Sequence, residues 1–137
     1  MIKKNVINSS TLSMKVYNKI PLKKIRRRTV ISIGSFDGIH LGHQKLIERN
    51  LKKSGDSYKS VVITFFPTPQ AFLLKDTFIG YLNSRSEKIK KIKEKGVDIL
   101  CCLEFNDTLR NISAEDFLKK IIKIFAPIAF ILGYDHS

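Results

Sequence analysis

The feature that most constrains this chain is an apolar run that leads straight into a glycine-rich turn. Residues 29–33 read Thr-Val-Ile-Ser-Ile, and residues 34–43 read Gly-Ser-Phe-Asp-Gly-Ile-His-Leu-Gly-His. The apolar spacing of residues 44–51 then predicts an amphipathic helix, which we expect to begin near Leu41. A strand, a tight turn and a helix in this order predict the first half of a βαβ unit.

The turn itself is suited to an anion. Gly34, Gly38 and Gly42 allow positive φ and let a ligand approach the main chain closely. The helix start adds unpaired N–H groups and the positive end of the helix dipole. His40 and His43 are three residues apart and would share one side there. Imidazoles in that position donate to phosphate oxygens and stabilise the charge that develops in phosphoryl or nucleotidyl transfer.

Two other interpretations of this segment stay open. The glycines could serve only a tight connection between strand and helix. His40 and His43 could instead bind zinc, but His136 is the one other histidine, and Cys101 and Cys102 lie in a predicted strand. A third zinc ligand is therefore hard to supply, so we favour a phosphate site and assign no residue as a metal ligand.

Charge divides the chain into two parts. The 137 residues predict one domain, and the net charge is +13. Residues 1–28 hold nine Lys or Arg and no Asp or Glu, which predicts a basic N-terminal arm before a domain at 29–137. Such an arm could bind nucleic acid or an anionic surface. No aromatic residues interleave with the arginines at 26–28, so we favour a solvated surface over nucleic-acid binding.

The sequence offers no sign of a membrane or an oxidising environment. No apolar stretch reaches the roughly 20 residues that a membrane span needs, and the N-terminus lacks the apolar core of a signal peptide. Cys101 and Cys102 are adjacent in an apolar run, which predicts buried thiols and no disulfide framework. We therefore expect a cytoplasmic protein.

Local signals predict further alternating elements. Strands are predicted at 60–66, 97–103 and 128–132, and helices after the N-cap residues Ser84 and Ser113. Four strands separated by three helices predict an α/β fold with a doubly wound parallel sheet. Ligands bind such sheets beyond the carboxyl ends of the strands. The glycine-rich turn, residues 64–67, the loop after Leu103 and residues 133–135 should meet at that edge.

The wording of these motifs resembles one enzyme family. Residues 34–47 resemble the FMN adenylyltransferase (FAD synthetase) module of bacterial riboflavin kinase/FAD synthetases. Residues 62–69 resemble that family's second-strand motif, with Thr68 at a position where the family has histidine, and residues 133–135 resemble its Gly-x-Asp element. The resemblance implies a Rossmann-like sheet of the His-x-Gly-His nucleotidyltransferase type.

The resemblance also implies a reaction and a set of site residues. The reaction is adenylyl transfer from ATP to FMN, with Mg²⁺ carried on ATP, and His40 and His43 would hold the triphosphate and stabilise the transition state. The implied nucleotide-binding residues are Gly34, Ser35, Phe36, Asp37, Gly38, Gly42, Gly133, Tyr134 and Asp135. The implied flavin-binding residues are Thr64, Phe66, Pro67 and Pro69. Asp37 has an alternative role, in which it only bonds nearby N–H groups of the turn.

The family's pattern extends past Ser137. A later segment similar to Ile-Ser-Ser-Thr-x-x-Arg, which helps to bind the leaving phosphates, and a riboflavin kinase module are not among the 137 residues. We therefore expect a fragment that binds ATP weakly and whose turnover is impaired by the truncation, with a C-terminal segment or a riboflavin kinase domain as its missing partner. Two alternatives remain: a His-x-Gly-His enzyme with another phosphate acceptor, and a basic module in which residues 1–28 bind RNA or an anionic surface.

Overall fold

The computed structural model describes residues 13–36, 41–66 and 85–132, with the backbone alone at 41 and 42. Its strands are β1 (Lys15–Tyr17), β2 (Thr29–Ile33), β3 (Lys59–Phe65), β4 (Ile99–Leu103) and β5 (Pro127–Phe130). Its helices are α1 (Leu41–Ser54), α2 (Arg85–Lys93), α3 (Asp107–Arg110) and α4 (Ala114–Phe125). No helix among these residues is long and apolar enough to cross a membrane.

The strands form one parallel sheet in the order β1-β4-β3-β2-β5. The chain steps outward from β2 to β3 to β4, and it then returns to place β5 on the other side of β2. This reversal makes the carboxyl ends of β2 and β5 a topological switch point, where parallel sheets bind their ligands. The predicted doubly wound parallel sheet is confirmed.

Both faces of the sheet are covered, which explains why β3 is an almost continuous apolar run. Alternate side chains of β3 point to opposite faces. Val61 and Ile63 pack in one cluster with Ile121 and Phe125 of α4. Val62 packs in the other cluster, against side chains of α1 and α2. The five central residues of β3 are buried, as expected for a strand between two helical layers.

A buried asparagine fixes α1 on the sheet. Asn50 lies on the inner face of α1, and its Nδ2 atom donates to Val30 O at 3.2 Å, Ser32 Oγ at 2.9 Å and Val61 O at 3.1 Å. These bonds join the helix to both β2 and β3. The start of α1 is thereby held over the carboxyl end of β2.

The predicted start of the last helix agrees with the structure. Ser113 is its N-cap, since Ser113 Oγ accepts a hydrogen bond from the Asp116 N–H at 3.1 Å. Ala126 adopts a left-handed conformation with φ of 45°, and β5 begins at Pro127. A proline cannot continue the helix, which is why this strand follows so closely.

The prediction of four strands was wrong, because β1 adds a fifth. It lies within residues 1–28 and pairs in parallel with β4, and Ile20 and Ile25 that follow it pack against the core. Two of its three residues are exposed, so the segment has no apolar run to mark it as a strand. The short helix α3 was also missed, although Asn106 caps it by accepting from the Leu109 N–H at 2.9 Å.

Candidate active site

The turn after β2 is pinned to β3 by hydrogen bonds. The Gly34 N–H donates to Ile63 O at 3.0 Å, and Thr64 Oγ1 donates to Ser35 O at 2.8 Å. Phe36 then adopts a φ of 50°, which is rare for a large side chain and costs on the order of 1–3 kcal/mol. Its ring is fully buried, and this burial helps to hold the backbone in that conformation.

Gly34 packs closely against the ring of Phe36. A Cβ atom at residue 34 would lie 3.1 Å from Cε2 of Phe36, closer than ordinary van der Waals contact. The sequence suggested that this glycine leaves room for a ligand. The structure shows that it leaves room for the aromatic side chain two residues later.

His43 lies in the first turn of α1, where the helix has unpaired N–H groups. Its ring centroid is 5.1 Å from that of Phe36, with the planes inclined at 52°, and its Nδ1 atom is buried. The contact with Phe36 limits how the imidazole can rotate. A half-buried histidine at a helix N-terminus and a switch point is well placed to donate to a phosphate.

A lysine connects this turn to the end of β3. Lys88 in α2 is fully buried, and its Nζ atom donates to Ser35 O at 2.6 Å and to Phe65 O at 3.1 Å. The same nitrogen lies 5.8 Å from the ring centroid of Phe66. The turn after β2 and the residues that follow β3 are therefore joined by one cation.

A cavity of about 710 Å³ opens beyond the carboxyl ends of β1, β3 and β4. It is lined by Asn18, Lys19, Ile20, Phe66, Arg85, Cys102, Leu103, Glu104, Asn106, Thr108, Leu109 and Ile112. Its size falls in the range of small-molecule sites, and it combines apolar walls with a few polar groups. Among the described lining residues, none comes from residues 34–36 of the turn; they come instead from the segments that follow β1 and β3, from the end of β4 and the segment after it, and from the start of α2.

Arg85 sits at the start of α2 and organises one wall of this cavity. Its Nη2 atom donates to Asn18 Oδ1, which lies just after β1. The N-terminal segment thus reaches the same edge of the sheet as the predicted site. The guanidinium group of Arg85 also interacts with Cys102 of β4.

The two cysteines of β4 are buried and not joined in a disulfide, which confirms the prediction of buried thiols. Burial raises the pKa of Cys101 to about 12, with a smaller contribution from Cys102. Burial also raises the pKa of Cys102, although the nearby Arg85 and Lys88 oppose that rise. Both thiols are protonated near neutral pH, so neither is an activated nucleophile.

Zinc finds no support in the described residues. No group of three His, Cys, Asp or Glu among 13–36, 41–66 and 85–132 is arranged to hold a metal ion. His40 and His136, which a zinc site would draw on, lie outside this part of the chain.

The described residues bring together only part of the predicted site. Gly34, Ser35, Phe36 and His43 meet at the carboxyl end of β2, and the backbone of Gly42 lies in the first turn of α1. Thr64 directs its hydroxyl to Ser35 O, whereas Phe66 lines the cavity. Nine residues singled out by the motifs lie outside the described residues: Asp37, Gly38, His40, Pro67, Thr68, Pro69, Gly133, Tyr134 and Asp135.

The sequence reasoning missed Lys88, Arg85 and Asn18. A signal for Lys88 was present, because it lies four residues before the buried Ile92 and so falls on the inner stripe of α2. The lysines at 90, 91 and 93 hid that signal, because Lys88 looked like one more solvated lysine among them. Asn18 carried no local signal.

Comparisons with known proteins agree with the sequence motifs. The family model described as FAD synthetase matches residues 22–137. The chain is 42% identical over 113 residues to the bifunctional riboflavin kinase/FMN adenylyltransferase of Buchnera aphidicola subsp. Schizaphis graminum, over 81% of this chain and 36% of that protein. It is 29% identical over 118 residues to the protein of the same name from Bacillus subtilis, over 85% of this chain and 37% of that protein.

A solved structure shares the fold. A crystal structure described as that of a macrolide-efflux protein from Streptococcus pneumoniae superimposes with a TM-score of 0.74 at 27% identity, over 90% of this chain and 42% of that chain. The chain spans little more than a third of the length of the curated relatives named above. Since the FAD synthetase model matches residues 22–137, most of the chain, the chain belongs to the FAD synthetase family.

Proposed function

We propose that this chain forms the nucleotide site for adenylyl transfer from ATP to FMN. An oxygen of the FMN phosphate attacks the α-phosphorus of ATP and forms the new P–O bond of FAD. The bond from the α-phosphorus to the bridging oxygen breaks, and its electron pair leaves with pyrophosphate. No nucleophilic side chain is needed, so the protein acts by positioning and by stabilising charge.

The observation that carries the proposal is the position of the Phe36 turn and His43. Both lie at the switch point between β2 and β5, and the contact with Phe36 restrains the imidazole of His43, which lies in the first turn of α1. A triphosphate there would meet helix N–H groups and an imidazole from one direction. His40 would complete the pair as the family motif implies.

The cavity beyond β3 and β4 offers room for the flavin. Phe66 and Leu103 give it apolar surface, and Arg85 gives it a cation that suits a phosphate or a ring carbonyl. It lies next to the triphosphate position because Lys88 contacts both Ser35 and Phe66. We assign Phe66 to the flavin and give Thr64 the role of fixing the turn.

Two further components belong to this proposal. As the family motif implies, Mg²⁺ would arrive on the ATP phosphates and neutralise part of their charge. The relatives combine riboflavin kinase with FMN adenylyltransferase in their names. A kinase domain of that kind would supply FMN, since it would add to riboflavin the phosphate group whose oxygen attacks ATP in this reaction. The cytoplasm remains our expected compartment, because free thiols and ATP coexist there.

The test is FAD formation from FMN, ATP and Mg²⁺, followed by chromatography. We expect His43→Ala to lower the rate by about 100-fold or more, the typical effect of removing a donor that stabilises developing charge. Lys45→Ala is the matched control, because Lys45 is exposed on the same helix. Equal rates of FAD formation by the unaltered chain and His43→Ala would contradict the proposal, and, where the unaltered chain binds ATP without turnover, so would equal ATP affinity of the two.

A panel of acceptors distinguishes the remaining enzyme alternative. FMN, phosphopantetheine, nicotinate mononucleotide and glycerol phosphate are each supplied with ATP or CTP, and pyrophosphate release is measured. We expect pyrophosphate release only from the pair FMN and ATP, since the family match and the aromatic wall at Phe66 favour a flavin. Faster release with another acceptor would reassign the substrate.

A further inference from the structure

Lys88 is the one lysine that is fully buried among the described residues. It lies in the first turn of α2, where a positive charge opposes the helix dipole. Burying a cation is costly unless strong acceptors surround it. Lys90 and Lys91 are exposed, and water solvates their charges. The buried charge of Lys88 must instead be stabilised by groups of the protein.

The contacts of Lys88 give that reason. Its Nζ atom donates to Ser35 O at 2.6 Å and to Phe65 O at 3.1 Å. Charge-assisted bonds of this kind are shorter and stronger than neutral ones. Ser35 O also accepts from Thr64 Oγ1 at 2.8 Å, so two donors fix the direction of this carbonyl.

The direction of the Ser35 carbonyl decides what the turn presents. The C=O and N–H of a trans peptide point in opposite directions. Ser35 O points toward Lys88 and toward Thr64 of β3. The N–H of Phe36 therefore points away from β3. The same constraint supports the positive φ of Phe36, whose ring contacts His43.

We propose that Lys88 is a positioning residue of the adenylyl-transfer site. By bonding Ser35 O and Phe65 O it sets the spacing between the turn that receives the triphosphate and the end of β3 that borders the flavin cavity. It acts through these two carbonyls and does not touch the reacting atoms. This inference rests on the proposed function, which it extends by one residue.

The test compares Lys88→Met with Lys90→Met, an exposed position on the same helix. Two readouts are taken: the NMR resonances of the Ser35 carbonyl and the Phe36 amide, and the Kd for ATP with Mg²⁺ by calorimetry. We expect Lys88→Met to shift both resonances and to raise the Kd about tenfold or more, while Lys90→Met changes neither. Lys88→Arg keeps a cationic donor and should give an intermediate Kd.

A purely structural role would give a different result. It would lower the unfolding temperature of Lys88→Met and leave the Ser35 and Phe36 resonances and the Kd as in Lys90→Met, which would overturn the proposal. If the unaltered chain binds no ATP, the proposed function fails, and the resonances still decide whether Lys88 positions the turn.

A variant that does not fold leaves the question decidable. In the unaltered chain, the ammonium resonance of Lys88 should exchange slowly with water and show a scalar coupling to the Ser35 carbonyl. Fast exchange without that coupling would overturn the inference.

Discussion

At both edges of the sheet, cationic side chains donate to backbone carbonyls, but the cation is buried at one edge and exposed at the other. At the carboxyl edge, the fully buried Lys88 donates to Ser35 O and Phe65 O. At the amino edge, the exposed Arg27 donates to Asp56 O at 2.8 Å, and the exposed Arg28 donates to Ala126 O at 3.3 Å. In both places a cation from a basic stretch bonds backbone carbonyls that lie far away in the chain.

The difference lies in what water can replace. An exposed arginine that loses its carbonyl partner is solvated at once, so its bond adds little to stability. A buried cation has no such alternative, and its partners lose a donor in a region of low dielectric. The number of basic residues therefore says little about which of them contribute to stability, because burial determines the size of each contribution.

The largest difference between the two edges should come from substituting one glycine near each edge. In Gly34→Ala, the new Cβ would lie 3.1 Å from the buried ring of Phe36. Overpacking of this kind lowers the free energy of unfolding by about 1–3 kcal/mol. Because the ring must move with the turn, we also expect ATP affinity to fall about tenfold.

Gly55→Ala is the matched change toward the amino edge, where Gly55 follows α1. It meets nothing within 4 Å, but φ is +53°. The strain of a side chain in that conformation costs about 1–2 kcal/mol. Denaturant unfolding and ATP titration of both variants check the pair. If Gly55→Ala weakened ATP binding as much as Gly34→Ala, the two edges would not be functionally distinct.

An intermediate effect should come from pH, through Cys101 between the two edges. The folded pKa is raised to about 12 from an ordinary value of 9.0, so the folded state keeps a proton that the unfolded state loses above pH 9. Stability from this group is complete below pH 9 and falls as pH rises toward 12, by about 1.4 kcal/mol per pH unit.

Unfolding by denaturant at pH 8 and pH 10 measures this effect. We expect Cys101→Ala to lose about 1 kcal/mol less than the unaltered chain between these two pH values. The comparison of slopes removes the constant cost of the smaller side chain. Equal losses in both proteins would show that the Cys101 thiol ionises as readily in the folded chain as in the unfolded one.

The smallest effect should come from the amino edge. Arg28→Met removes bonds that an exposed guanidinium makes to Ala126 O and Pro127 O. We expect the free energy of unfolding to change by at most about 0.5 kcal/mol, with ATP affinity unchanged. A loss as large as that of Gly34→Ala would break the comparison, because it would make an exposed cation as important as packing beside the turn.

Much of the α/β core was predictable because its signals are local. The apolar run at 29–33, the start of α1 near Leu41 and the cap at Ser113 each depend on neighbouring residues alone. The match of residues 34–47 to a known motif identified the family, since glycines and histidines at fixed spacing reflect chemistry that the turn must perform. The burial of Cys101 and Cys102 followed from the same kind of pattern.

Other features depended on partners that are distant in sequence. β1 has no apolar pattern of its own and becomes a strand because the edge of β4 pairs with it. Asn50 looks out of place on the inner face of α1 until Val30 O, Ser32 Oγ and Val61 O are seen around its amide.

The sequence by itself determined the order of elements in the α/β core, the glycine-rich turn and the family, because these follow from residues close together in the chain. Only the tertiary structure decided the place of the basic N-terminal segment in the sheet and the role of Lys88. The physical reason is that a lysine on the inner stripe of a helix can still extend its ammonium group to water, so its place on the helix does not determine whether its charge is buried. Whether the charge of Lys88 can be buried depends on the carbonyl groups of Ser35 and Phe65, which lie 53 and 23 positions earlier in the chain.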